Sequence, residues 1–237
     1  MLRNTTSAKM VLSLSAMLAV PAMADLNHIT GTITADNHYV LYTGNGSGSL
    51  VDLIGGNELG AGGSPGTYNW SKAESYDFTT GLNTIYIAAW SDDRVAQGLL
   101  AELTINGETL LSGDPAWEVF ATGINKNDGS PYPTEAELGT QIGIANANAG
   151  GAGTSGGWTS IAVGGTHGVG PWGNITGIDS TASWMWYGKE FPFEPGADHD
   201  EYLIFRTSVK PVPVPGAVLL GMLGFGIVGG AKRKFGK

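Results

Sequence analysis

Glu102-Leu103-Thr104-Ile105-Asn106-Gly107-Glu108-Thr109-Leu110-Leu111 is the stretch that decides the fold class. Asn106-Gly107 stands between two short runs rich in β-branched and apolar residues, and Asn-Gly accepts the positive φ angles of a type I′ turn. The stretch therefore predicts a β-hairpin with a two-residue loop. Outward from it, similar runs separated by turn residues recur at 29–33, 39–43, 50–53, 75–79, 84–90, 99–105, 109–111, 117–121, 160–163, 183–187 and 202–207. So many short strands predict an all-β chain built as a sandwich or jelly roll.

Composition agrees. Glycine is abundant, with 38 residues, and charged residues make up only 14%, the balance of short strands joined by irregular turns. One segment reads as helix: Thr134 and Glu137 have capping-box spacing after Pro133 and lead into Leu138. Residues 145–157 are nearly all Ala, Gly, Asn and Ser, too poor in bulky apolar groups to pack, and predict a flexible loop. No internal repeat is visible. There are no cysteines, which excludes a disulfide framework, a thiol nucleophile and a Cys-ligated metal.

The two ends differ from the middle. Arg3 and Lys9 precede an apolar run at 10–20, and Ala22-Met23-Ala24 presents small residues before Asp25, the pattern of a signal peptide over 1–24. At the other end Val212-Pro213-Val214-Pro215-Gly216-Ala217 opens an apolar stretch at 216–231, followed by Lys232, Arg233 and Lys234. As a helix that stretch is about 24 Å long, shorter than a hydrocarbon core of about 30 Å, and predicts a short transmembrane segment with its basic end in the cytoplasm. Between the ends, residues 25–209 form one expected β-sandwich domain, with a tail at 210–237. All 21 acids lie between Asp25 and Glu201, and six of the 12 basic residues belong to the leader and to the stretch from Val212 to Lys237. The exported part thus carries about −15 against −9 for the whole chain, a surface that repels phosphate backbones and disfavours nucleic acid as a partner.

The three-part tail from Val212 to Lys237 resembles the PEP-CTERM sorting signal of Gram-negative bacteria, in a form with Val-Pro-x-Pro-Gly-Ala in place of Pro-Glu-Pro. The resemblance implies signal peptidase and an exosortase as processing partners and transient residence in the inner membrane. It then implies a final place at the outer surface or in the exopolysaccharide and biofilm matrix. A second resemblance runs through 33–42, Trp70, Tyr76-Asp77-Phe78, 81–89, 98–103, Asp114, Trp117, Gly170-Pro171-Trp172-Gly173, Ala182-Ser183-Trp184-Met185-Trp186 and 201–206. It is similar to galactose-binding-like β-sandwich domains, and implies that jelly-roll fold more than any particular ligand.

Aromatic faces cover the apolar side of a sugar ring. The carbohydrate-binding candidates are Trp70, Trp158 and Trp172, which lie beside Gly and Asn, and Trp184 and Trp186, two apart on one strand. Trp90 and Trp117 lie in apolar runs and read as core. Asp92 and Asp93 after one strand, and Asp198 and Asp200 before another, are oxygen-rich loop positions able to hold calcium, with solvated loop charge as the plainer alternative. His28, His38, His167 and His199 have no zinc spacing. The Gly-x-Ser-x-Gly matches at 62–66 and 153–157, and the Gly-x-Gly-x-x-Gly match at 151–156, lack a strand–turn–helix setting. The expectation is a non-catalytic exported protein that binds polysaccharide weakly. A structural or adhesive matrix protein is the alternative, and a glycan-active hydrolase a third.

Overall fold

The computed structural model describes residues 26–57, 70–91, 96–127, 129–188 and 201–209. In chain order these form β1 (Asn27–Asp36), β2 (His38–Gly44), β3 (Val51–Gly56), β4 (Glu74–Thr80), β5 (Thr84–Trp90), β6 (Gly98–Ile105), β7 (Glu108–Leu111) and β8 (Glu118–Asn125). After them come α1 (Glu135–Asn146), β9 (Thr159–Ser160), β10 (Ala162–Thr166), β11 (Ser183–Trp186) and β12 (Glu201–Ser208). The hairpin expected around Asn106-Gly107 is β6–β7, with Asn106 at φ 53° and Gly107 at φ 89° as a type I′ turn requires. Ile105 faces Glu108, and Glu102 faces Leu111.

The strands make two antiparallel sheets. The first runs β10-β11-β6-β1-β4, with β7 also paired to β6; the second runs β3-β2-β5-β12-β8-β9. The all-β, sandwich-like architecture expected from the strand pattern is therefore present. The run at 160–163 is not one strand but two: the chain leaves β9 at Ser160 in the second sheet and enters β10 at Ala162 in the first. Alternation along a run cannot reveal a change of sheet, because the side-chain period is the same on both sides of the crossing. The leader at 1–24, and the tail at 210–237 with its apolar segment 216–231, lie outside the described residues. Among the described residues no helix is long and apolar enough to cross a membrane.

Between the sheets lies one core. Ile29, Ile33, Leu99 and Leu103 come from the first sheet, and Leu41, Ile85, Ile87, Leu203 and Phe205 from the second; all are fully or almost fully buried. A second core lies on the other side of the second sheet. There Val40, Tyr42, Tyr86, Ala88, Phe120 and Ile204 pack beneath Leu138, Ile142 and Ala145 of α1. This explains why every residue of β2 and β5 is buried: the second sheet is covered on both faces.

The capping box predicted at the start of α1 is present, since Glu137 N donates to Thr134 Oγ1 at 3.3 Å and Thr134 N donates to Glu137 Oε2 at 2.8 Å. The helix can lie close to the β2–β3 turn because both surfaces lack side chains there. A Cβ at Gly139 would stand 2.5 Å from Gly48 O, and Gly48, at φ 75°, would place one 2.7 Å from Ile142 Cγ2. The helix extends through Asn146, so the first two residues of the predicted loop at 145–157 are helical and Ala145 is buried. The remainder is tied down by hydrogen bonds rather than by bulky side chains. Gly150 N donates to Gly156 O at 3.0 Å, Ser155 N to Ala121 O at 3.2 Å, and Ala121 N to Ser155 Oγ at 3.1 Å.

Candidate functional site

The five candidate tryptophans do not converge on an open cleft. Trp172 and Trp184 stack with ring centroids 4.1 Å apart, and Trp172 Nε1 donates to Asp36 Oδ2 at 2.6 Å. Both rings lie against Gly98, where a Cβ would stand 2.8 Å from Trp184 Cε3. Trp186 packs on Phe205 at 5.8 Å, and these three indoles are at most 2% exposed. Trp70 is partly buried against the main core, and its carbonyl accepts from Thr34 Oγ1 at 2.9 Å. Trp158 is partly buried too: Arg206 Cζ sits 3.9 Å above its ring centroid, and Tyr86 and Phe120 pack at 6.4 and 6.0 Å.

Arg206 is held in that position by Glu118, whose Oε2 takes Nε at 2.8 Å and NH2 at 2.7 Å. Asn146 Oδ1 accepts from both Arg206 NH1, at 3.1 Å, and Trp158 Nε1, at 2.7 Å. A fixed ion pair and an amide thus occupy the edge and face that a sugar ring would need. Arg206 and Glu118 are register partners on β12 and β8, but Trp158 and Asn146 reach them from other segments, and nothing in the sequence signals that meeting.

Two buried carboxylates are also engaged. Asp36 receives the Trp172 indole, and Glu74 Oε2 accepts from Tyr39 Oη at 2.8 Å. Tyr39 and Tyr76 share a further hydrogen bond of 2.8 Å, and burial, before the charge of Glu74, pushes both phenols well above the ordinary tyrosine range.

A further polar arrangement lies on the outer face of the first sheet, which sequence reasoning did not single out. Antiparallel register aligns Thr109, Thr104, Thr30 and Asp77 across β7, β6, β1 and β4, and aligns Leu111, Glu102, Thr32 and Ser75 beside them. At about 4.8 Å between strands, a row of four extends about 14 Å. Thr30, Thr32, Ser75, Glu102 and Thr104 line a shallow depression of about 160 Å³. On one side Glu102 Oε2 accepts from Asp179 N at 2.7 Å, and further along the sheet Asp77 Oδ1 meets His28 Nε2 at 2.7 Å. Hydroxyls flanked by carboxylates on a sheet can donate to and accept from an extended polyhydroxyl chain. The spacing of the polar β-branched residues Thr30 and Thr32 is the signal that could have pointed here.

Asp92, Asp93, Asp198 and Asp200, the calcium candidates, lie outside the described residues, as do Val212, Pro213, Val214, Pro215, Gly216, Lys232, Arg233 and Lys234 of the sorting tail. Among the described residues no group of three or more His, Asp or Glu is placed to hold a metal ion. No protein-family model, no curated protein and no solved structure matches the chain.

Proposed function

We propose that the chain is an exported, non-catalytic, galactose-binding-like sandwich that works at the cell surface or in the extracellular matrix by weak contact with polysaccharide. The signal-like leader and the tripartite tail from Val212 to Lys237 support export and sorting. The observation that carries the polysaccharide contact is the hydroxyl and carboxylate array on the outer face of the first sheet. Thr30, Thr104 and Thr109 stand in register on neighbouring strands of that face, with Thr32 two residues along from Thr30 and opposite Glu102 and Ser75. Contact through hydroxyl groups without a free aromatic platform is weak at each point and gains strength along a repeating chain.

Retention of the protein on insoluble or immobilised polysaccharides tests this. The triple change Thr30→Ala, Thr32→Ala, Thr104→Ala should abolish retention while leaving the melting temperature nearly unchanged. Wild-type protein that none of a broad panel of polysaccharides retains would remove the reading. The second reading, a structural or adhesive matrix protein, would then take its place; the burial of Trp172, Trp184 and Trp186 favours it. Calcium at Asp92 and Asp93, or at Asp198 and Asp200, is proposed on sequence alone. It predicts a melting temperature that rises with Ca²⁺ but not with Mg²⁺ at constant ionic strength.

A further inference from the structure

A cavity of about 160 Å³ lies where the end of β8 meets α1 and β12, away from the open face of the first sheet. Ile124, Lys126, Pro133, Glu137, Gln141 and Tyr202 line it. Tyr202 is 1% exposed, and its Oη is buried with no hydrogen-bond partner among the described residues. A buried hydroxyl left unpaired costs about 1–3 kcal/mol, which a ligand bringing its own polar group would relieve. The neighbouring Tyr42 hydroxyl is different, because it donates to Pro133 O.

Lys126 is set in place over the aromatic floor. Its Nζ lies 5.3 Å from the Tyr202 ring centroid and 5.6 Å from that of Trp90, and it donates to Pro131 O at 2.5 Å. An ammonium has three donors, so this bond leaves others to offer. Glu137 contributes a carboxylate of opposite sign, anchored by its bonds to Thr134. The two charges balance, which disfavours a bare anion or cation as occupant. Gln141 both donates and accepts, and Ile124, 43% exposed, provides an apolar wall beside these groups. The volume is about half the lower limit of roughly 300 Å³ for drug-sized ligand pockets, which restricts the occupant to a single ring or a chain end.

We propose that this cavity is a subsite for one neutral pyranose unit, with Tyr202, Lys126 and Gln141 taking its hydroxyls and Ile124 and Pro133 its C–H face. The inference deepens the polysaccharide reading and rests on it for the source of the sugar, as a chain end or branch.

The test uses the full chain in a zwitterionic detergent that carries no sugar. Methyl glycosides of glucose, galactose and mannose are the probes, sodium acetate and methylammonium chloride the charge controls, and saturation-transfer NMR the readout. At least one glycoside should bind saturably in the millimolar range. Tyr202→Phe should weaken it about fivefold or more without lowering the melting temperature, since only an unpaired hydroxyl is lost. Gln141→Trp, which puts an indole into the lining, should abolish it, whereas Val163→Ala, at an exposed position of β10 outside both sites, should bind the glycoside as wild type does. No saturable glycoside, unchanged binding in Gln141→Trp, or equal displacement by acetate or methylammonium would each overturn the subsite. Polysaccharide retention that survives in Gln141→Trp would overturn the subsite's part in it and leave the sheet reading intact. Glycoside binding without any polysaccharide retention would overturn the sheet reading alone.

Discussion

The outer faces of the two sheets are built from the same alternation and come to opposite ends. On the second sheet the outward positions are Val40, Tyr42, Tyr86, Ala88, Phe120 and Ile204, which are large or apolar, and α1 lies across them. On the first sheet the outward positions include Thr30, Thr32, Thr104, Thr109, Ser75 and Asp77, and β4 shows the alternating burial of a strand with one wet face. A sheet buried on both sides loses its alternation, and one buried on a single side keeps it. The second sheet is thus covered on both faces, whereas the first keeps one face open to a partner.

Alkali should break this contrast most severely. Tyr42 and Tyr202 are buried in the second core, and desolvation, the leading cause, holds both phenols above the ordinary value of 10. A raised folded-state value means that the stabilisation is complete below pH about 10 and is lost as pH climbs beyond it, because only the unfolded chain ionises freely. Phenolate absorbance should therefore rise together with loss of the folded near-ultraviolet signal. Ionisation of all eight tyrosines near pH 10 in a chain that stays folded would contradict it.

Next in size is Phe120→Ala, which empties space between the second sheet and α1 and should cost about 3–5 kcal/mol in chemical denaturation. A loss under 1 kcal/mol would mean that the helix is not a real cover. Arg206→Ala should cost less, about 1–3 kcal/mol, through its bonds to Glu118 and Asn146. It should also make Trp158 more accessible to acrylamide quenching, and unchanged quenching would show that Arg206 does not shield the ring. Smallest should be Thr104→Ala on the open face, within about 0.5 kcal/mol. A larger loss would indicate that this face is covered in the intact protein.

Much of the scaffold was legible locally. The β6–β7 turn follows from Asn106-Gly107, and the start of α1 from Thr134 and Glu137, because each depends on backbone angles or hydrogen bonds made within four residues. The candidate tryptophans were less so. Trp172 stands in a Gly-Pro-Trp-Gly segment whose composition leaves both burial and exposure open, and Asp36 and Trp184 draw it inside from other parts of the chain. Trp158 follows a glycine-rich segment, but Arg206, far along the chain, covers its ring.

The sequence by itself determined the strands, the hairpin turn, the helix cap and the lack of cysteine chemistry, since these depend on residue type and near neighbours. Only the tertiary structure decided which of two alternating faces is covered, that 160–163 divides between sheets, and that Tyr202 and Lys126 border one cavity. Those outcomes depend on contacts between residues far apart in the chain, and a period-two pattern carries no information about what will lie over either face.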